Sequence, residues 1–229
     1  MKKYMIVGGT SGIGHQIAQD LLAQNHTVFI LSRNPQDKEQ LPLARYLSCD
    51  VKQDITTFPN IEEPLDGLIY CPGSIVLKPF RGLKQEDLLN DLEINYLGAI
   101  KCIQKYLPNL QQGTNASIVL FSSVAVQKGM TFHSSIAGAK GAIEGLTKSL
   151  AAEFAPKIRV NAIAPSLTQT PLAEKLINTE SKMEAAAQRH PLKRIGNPKD
   201  ISEAVCFMLG ATWLTGEIMA LDGGMKNIG

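Results

Sequence analysis

An apolar run, Lys3-Tyr4-Met5-Ile6-Val7, ends at Gly8-Gly9-Thr10-Ser11-Gly12-Ile13-Gly14, and a helical pattern opens inside that glycine segment and continues to Gln24. A strand that passes into a helix through spaced glycines makes a tight turn, and its backbone can approach a bound group closely. The helix then presents its first N–H groups and the positive end of its dipole to whatever lies in front of the loop. This junction predicts a parallel α/β sheet with a pyrophosphate site at the end of its first strand.

The rest of the chain repeats the alternation. Apolar runs at residues 3–7, 27–31, 45–49, 65–71, 116–121, 159–163 and 217–221 read as strands. Helical patterns occupy 12–24, 87–110, 135–154 and 198–209, with the long one interrupted near its start. Alternating strands and helices give a doubly wound α/β fold, a parallel sheet of about seven strands with helices on both faces. One domain spanning 1–229 is expected, with no repeat or linker. The crossovers at 34–44 and 51–64 are short and contain prolines, so one flank of the sheet is expected to be thinly covered.

Composition excludes several classes of function. Net charge is +2, and no basic stripe suited to nucleic acid occurs. The apolar start is too short for the core of a signal peptide, and no apolar stretch is long enough to span a bilayer. Cys49, Cys71, Cys102 and Cys206 form neither a Cys-x-x-Cys pair nor a zinc spacing, and no metal site is expected. Buried free thiols and a cytoplasmic location follow as expectations.

Four further segments stand at strand ends. Leu31-Ser32-Arg33-Asn34 closes the second strand, and Ser48-Cys49-Asp50-Val51 the third. Cys71-Pro72-Gly73 closes the fourth, and Pro165-Ser166-Leu167-Thr168-Gln169-Thr170 follows the sixth. An acidic residue after the second strand would bind the two ribose hydroxyls of NAD. An arginine there pairs a 2′-phosphate. No carboxylate lies nearer than Asp37, so Arg33 favours NADP(H), with NAD(H) possible. A second basic residue in the glycine loop would strengthen that preference, and Ser11 stands there instead.

The spacing Gly-x-x-x-Gly-x-Gly, with these loops, resembles the short-chain dehydrogenase/reductase family, and the resemblance covers almost the whole chain. It implies a Rossmann-type fold and a dinucleotide held by Gly8, Thr10, Ser11, Gly12, Ile13, Gly14, Ser32, Arg33, Asn34, Asp50, Val51, Cys71, Pro72, Gly73, Lys140, Pro165, Ser166, Leu167, Thr168 and Thr170. It also implies that Asn95 holds a structural water, that Ser123 orients a substrate carbonyl, and that Lys140 binds the nicotinamide ribose. Residues 171–190 match the family's substrate lid and offer Leu172, Leu176, Ile177 and Met183. The small residues of the catalytic helix, Gly138, Ala139, Gly141, Ala142 and Gly145, together with the helix at 87–110, imply a homodimer or homotetramer.

The family's catalytic helix carries Tyr-x-x-x-Lys. Here the segment reads Ile136-Ala137-Gly138-Ala139-Lys140, and no tyrosine follows Tyr106. General acid catalysis of the lost kind is worth ~10²–10⁴-fold. His133 lies seven residues before Lys140; in a helix that starts early enough it shares a face with Ile136 and Lys140, and it is a candidate surrogate donor. Ser134 and Ser135 read as N-cap residues of that helix. Three readings stay open: an NADP(H)-dependent oxidoreductase with an atypical proton donor, a silent NADP(H)-binding sensor or partner subunit, and an enoyl-type reductase. The substrate, a small molecule, is not readable.

Overall fold

The computed structural model describes residues 1–35 and 41–228. In chain order its elements are β1 (Lys3–Val7), α1 (Gly12–Ala23), β2 (Thr27–Ser32), β3 (Arg45–Ser48), β4 (Gly67–Tyr70), α2 (Gln85–Leu92), a π turn (Glu93–Leu97) and α3 (Gly98–Gln112). They continue with β5 (Ala116–Phe121), α4 (Val124–Gln127), α5 (Ser134–Phe154), β6 (Ile158–Pro165), α6 (Glu174–Ile177), α7 (Glu180–Gln188), α8 (Pro198–Gly210) and β7 (Ile218–Leu221).

The strands form one sheet in the order β3-β2-β1-β4-β5-β6-β7, and every adjacent pair is parallel. The chain winds outward from β1 through β2 to β3, then returns to β1's other side with β4. The strand order therefore switches between β1 and β4, and a crevice opens outside their carboxyl ends. Parallel strands covered on both faces should be apolar throughout, and every residue of β4 and β5 is buried. One face packs on α1 and α8 through Ile17, Leu21, Val205 and Met208. The other packs on α3 and α5 through Cys102, Tyr106, Leu110 and Ile143.

The seven-strand doubly wound fold is the one the alternation implied. Several details differ. The expected helix at 87–110 is α2 and α3 joined through the π turn. Tyr70 Oη donates to Ile94 O at 2.6 Å, and Asn95 Nδ2 donates back to Asp91 O at 2.9 Å. Side chains thus take carbonyls that a regular helix would use, and the coil widens there. The expected caps Ser134 and Ser135 lie inside α5, whose N-cap position is His133. Ser135 points inward instead, and its hydroxyl donates to Asp91. The crossover at 51–64 holds only a 3₁₀ turn at Ile55–Thr57, closed by Asp54 Oδ1 accepting from Thr56 N at 2.9 Å. In the crossover at 34–44, residues 36–40, and with them Asp37, lie outside the described residues. Cys49 and Cys102 are buried, Cys71 and Cys206 half-buried, and all are free. Among the described residues no helix is long and apolar enough to cross a membrane.

The sheet also anchors one helix end directly. Arg159, buried on β6, donates from Nη1 to Met208 O at 2.8 Å and from Nη2 to Leu209 O at 2.9 Å. Those carbonyls belong to the last turn of α8, where the helix has no partners of its own and its dipole is negative. Replacing the guanidinium by an apolar stem of similar length, Arg159→Met, should lower unfolding stability by about 2 kcal/mol. The expected result is a lower urea midpoint at unchanged slope.

Candidate active site

The site lies at the carboxyl ends of the strands and consists of two adjoining clefts. The first, of about 350 Å³, is walled by the glycine loop, the ends of β2 and β3, and the loop after β4. The second, of about 550 Å³, is walled by Ser74, Asn95, Ser123, Ile136 and Lys140 on one side and by residues of the 171–190 segment on the other. Ile13, Cys71, Gly73, Thr170 and Leu172 line both, so the two form one continuous channel.

The first cleft is built by close backbone contact. A Cβ on Gly14 would stand 2.4 Å from Gly8 O, so α1 can sit on the end of β1 only with glycine there. Gly8 and Gly12 have φ of +78° and +54°, the left-handed region that favours glycine. Ser11 occupies the N-cap of α1, with no side-chain bond into the helix among the described residues, and no acidic residue stands in the first turn. The N-terminus of α1 therefore faces the cleft with positive potential, which suits a pyrophosphate. Thr10 Oγ1 lies 3.2 Å from Ser32 Oγ, and Ser48 Oγ donates to Arg33 O at 3.2 Å, which ties the ends of β2 and β3 together. Arg33 is exposed at the rim. Asp50 Oδ1 accepts from Lys52 N at 3.0 Å, and this bond fixes the turn after β3.

Every residue expected to hold a dinucleotide lines one of the two clefts except Asn34, which is exposed beyond the rim.

In the second cleft Lys140 is buried, and its Nζ donates to Phe121 O at 2.8 Å. Burial pushes its ammonium down to about 8, against weaker opposing contributions from Cys71 and Asp91. One turn earlier on α5 stands Ile136, also buried, with no polar atom beyond its backbone. Ser123 caps α4, its Oγ accepting from Ala125 N at 3.2 Å, so its own proton is not used in the cap. Asn95 gives both of its Nδ2 bonds to neighbours, Ser74 Oγ and Asp91 O, each at 2.9 Å. Its Oδ1 is buried, makes no bond among the described residues, and lies on the Gly73 side. His133 reaches the cleft wall with Nδ1 2.7 Å from Thr131 O. Facing a carbonyl, Nδ1 carries a proton and donates it there, which leaves Nε2 as the ring nitrogen open to another partner.

The chemistry here extends beyond the residues read from sequence. His190, buried at the far end of the 171–190 segment, places Nδ1 2.9 Å from Ala186 O and Nε2 2.8 Å from Ser166 Oγ. Ser122 Oγ and Gln127 Nε2 both donate to Glu144 Oε1, at 2.7 and 3.2 Å. Asp91, fully buried, accepts from Ser74 Oγ and Ser135 Oγ, each at 2.6 Å. The sequence signal for Asp91 is its place four residues before Asn95, on the same helix face. Among the described residues no group of His, Cys, Asp and Glu is gathered for a metal ion.

A family model described as enoyl-(acyl carrier protein) reductase matches residues 7–226. Carbonyl reductase family member 4 of Xenopus laevis is 30% identical over 232 residues, 96% of each chain. The chain belongs to the short-chain dehydrogenase/reductase family. It is also 32% identical to a tropinone reductase homolog of Datura stramonium, over 96% of this chain and 90% of that one. Among solved structures, ElxO with NADP bound superposes with a TM-score of 0.86 at 26% identity, covering 98% of this chain and 99% of the other. The short-chain dehydrogenase/reductase fold thus accounts for the sheet order and for the channel across its carboxyl edge, and the type of chemistry is that of an oxidoreductase.

The depressed Lys140 has a measurable consequence. Its folded-state value, about 8, lies below the ordinary 10.5, so between those limits the unfolded chain binds the extra proton. Stability attributable to this group therefore rises as pH rises through that window. The unfolding free energy of the wild type relative to Lys140→Met should climb from pH 8 to 10, as read by denaturant titration. A flat difference would show that Lys140 is solvated in the folded protein.

Proposed function

We propose that the protein is an NADP(H)-dependent oxidoreductase acting on a carbonyl/alcohol pair, with an atypical proton donor. The observation that carries this reading is the channel itself: Asn95, Ser123 and Lys140 line one cleft, and it opens directly into the glycine-loop cleft. The glycine contacts at Gly8 and Gly14 and the open N-terminus of α1 fit a dinucleotide pyrophosphate. Arg33 at the end of β2 fits a 2′-phosphate, and the neighbour ElxO was solved with NADP. NAD(H) remains the weaker ligand.

In this reading the glycine loop, Ser32, Arg33, Asp50 and Val51 hold the adenosine half. Cys71, Pro72, Gly73, Lys140 and the segment from Pro165 to Thr170 hold the nicotinamide half. When bound, the reduced nicotinamide supplies a hydride to the substrate carbon. Ser123 donates its spare proton to the substrate oxygen and orients it. Lys140, charged at neutral pH, sets a positive potential beside that oxygen and the ribose. Ile136 occupies the tyrosine position of the family and excludes water, but it transfers no proton. His133 is a candidate donor on the same wall. Residues 171–190 act as the substrate lid. Lys175, Lys182 and Arg189 line its side of the cleft, so the acceptor panel should include ketones with a carboxylate. A cytoplasmic homodimer or homotetramer completes the reading. Gly138 and Gly145 on α5 face open space, where a second α5 can approach.

NADPH should bind more tightly than NADH, and Arg33→Ala should abolish that preference, as measured by calorimetry with both cofactors. Equal affinities in the wild type would remove the role given to Arg33. Ile136→Tyr should raise NADPH-dependent ketone reduction by at least ~10²-fold, the lower limit expected of a positioned acid. Ile136→Phe serves as the steric control. A tyrosine variant that folds, binds NADPH and reduces nothing would sink the assignment of Asn95, Ser123 and Lys140.

A further inference from the structure

A fully buried carboxylate in the wall of this site is unexplained by the dinucleotide or by the fold. Asp91 is 0% exposed, and among the described residues no cation lies within ion-pair distance of it. Burying an unpaired carboxylate costs several kcal/mol even after relaxation. An apolar side chain at the end of α2 would avoid that cost. Two hydroxyl donors offset it instead, Ser74 on Oδ1 and Ser135 on Oδ2, both at 2.6 Å. Both contacts are at the short end of the hydroxyl hydrogen-bond range. Lys140 adds favourable charge at longer range.

The two serines differ in what lies beyond them. Ser135 is enclosed in the core, whereas Ser74 lines the large cleft beside Asn95, Ile136 and Lys140. Ser74 Oγ accepts from Asn95 Nδ2 and donates to Asp91, so its one proton is already committed to the carboxylate. One lone pair of Oγ is left for an incoming donor. A hydroxyl held in this way passes a proton inward when another proton reaches it from the cleft.

We propose, resting on the oxidoreductase reading above, that Ser74 is the catalytic proton-transfer residue. Asp91 is the positioning residue that acts through it, and together they perform the task of the tyrosine that Ile136 displaces. In alcohol oxidation the substrate O–H gives its proton to Ser74 Oγ as the Ser74 proton passes to Asp91 Oδ1. The carbinol C–H bond breaks, its electron pair leaves with the hydrogen to an oxidised nicotinamide dinucleotide, and the C=O bond forms. Carbonyl reduction is the reverse, with protonated Asp91 re-protonating Ser74 as Ser74 protonates the oxygen. Asp91, held by two hydroxyl donors and with no cation in ion-pair distance among the described residues, is placed to take a proton through Ser74. The relay therefore works first as a base for secondary alcohols.

The test uses full-length protein with NADP⁺ and a panel of secondary alcohols, and each variant is first checked for cofactor binding by calorimetry. Ser74→Ala should lower kcat by ~10²–10⁴-fold with KM little changed, and Ser74→Thr, which keeps a hydroxyl, should recover most of that loss. Asp91→Asn keeps the shape of the side chain but accepts no proton, and it should lower kcat in the same way. Wild-type turnover that survives Ser74→Ala, equal loss in the alanine and threonine variants, or loss confined to KM overturns the relay alone. Loss in His133→Ala with Ser74→Ala unaffected does the same and passes the role to His133. A wild type that binds NADPH but turns over no alcohol or ketone overturns the relay and the oxidoreductase reading together.

Discussion

The whole site depends on a contact too close for any side chain: the Cα of Gly14 over the carbonyl oxygen of Gly8. A Cβ on residue 14 would lie 2.4 Å from that oxygen. The contact seats the first turn of α1 on the end of β1 and aims its unpaired N–H groups across the crevice. Parallel pairing then carries that position to every other functional segment. Because β2, β4, β5 and β6 run in the same direction as β1, Arg33, Cys71, Ser123 and Pro165 all emerge at the same edge. An antiparallel neighbour would have sent its loop to the opposite end of the molecule.

The wall of the second cleft has a different origin. It is made where α2 and α3 meet across a π turn and pack against the start of α5. The turn exists because Tyr70, from the core of β4, takes the carbonyl of Ile94 at 2.6 Å. Burial raises the Tyr70 phenol well above its ordinary range, so it stays a neutral donor. A buried phenol on one strand thus sets the coil of a distant helix, and that coil presents Asn95 and Asp91 to the same neighbour, Ser74. Here packing fixes polar geometry, and polar geometry fixes what the cleft can do.

Much of this could be read from residues alone because the alternation of strands and helices has a long period and a strong signal. The seven strands needed only apolar runs bounded by turns, and the misplaced limits, such as β4 starting at Gly67 rather than Leu65, are end effects. The spacing of Asn95, Ser123 and Lys140 was enough to bring them to one cleft wall. The π turn was not legible, since nothing between residues 93 and 97 reveals that Tyr70 will reach them. Helices α6 and α7 were missed because short polar helices carry little apolar periodicity and take their stability from docking on the site. Ser134 and Ser135 look like caps in sequence, and only tertiary contact turns Ser135 toward Asp91. Ser74 follows a glycine as any turn residue would, and its meaning comes from partners on α2 and in the π turn.

Ile136 makes the charges around it more informative. An apolar residue one turn from Lys140 offers its ammonium no polar partner and lowers the local polarity. In that setting burial makes the Lys140 ammonium more costly to keep charged. A fold that needed only a packed wall would be more stable with apolar residues at the positions of Lys140 and Asp91, because burying a polar or charged side chain costs more than burying an apolar one. The wall instead keeps a cation depressed toward neutral pH, a carboxylate held by two hydroxyls, and an Asn95 oxygen with no bond among the described residues. Polar groups held at that cost around one apolar side chain are what a functional cleft, rather than a packed core, retains, and they gather where α2, the β4 loop and α5 meet.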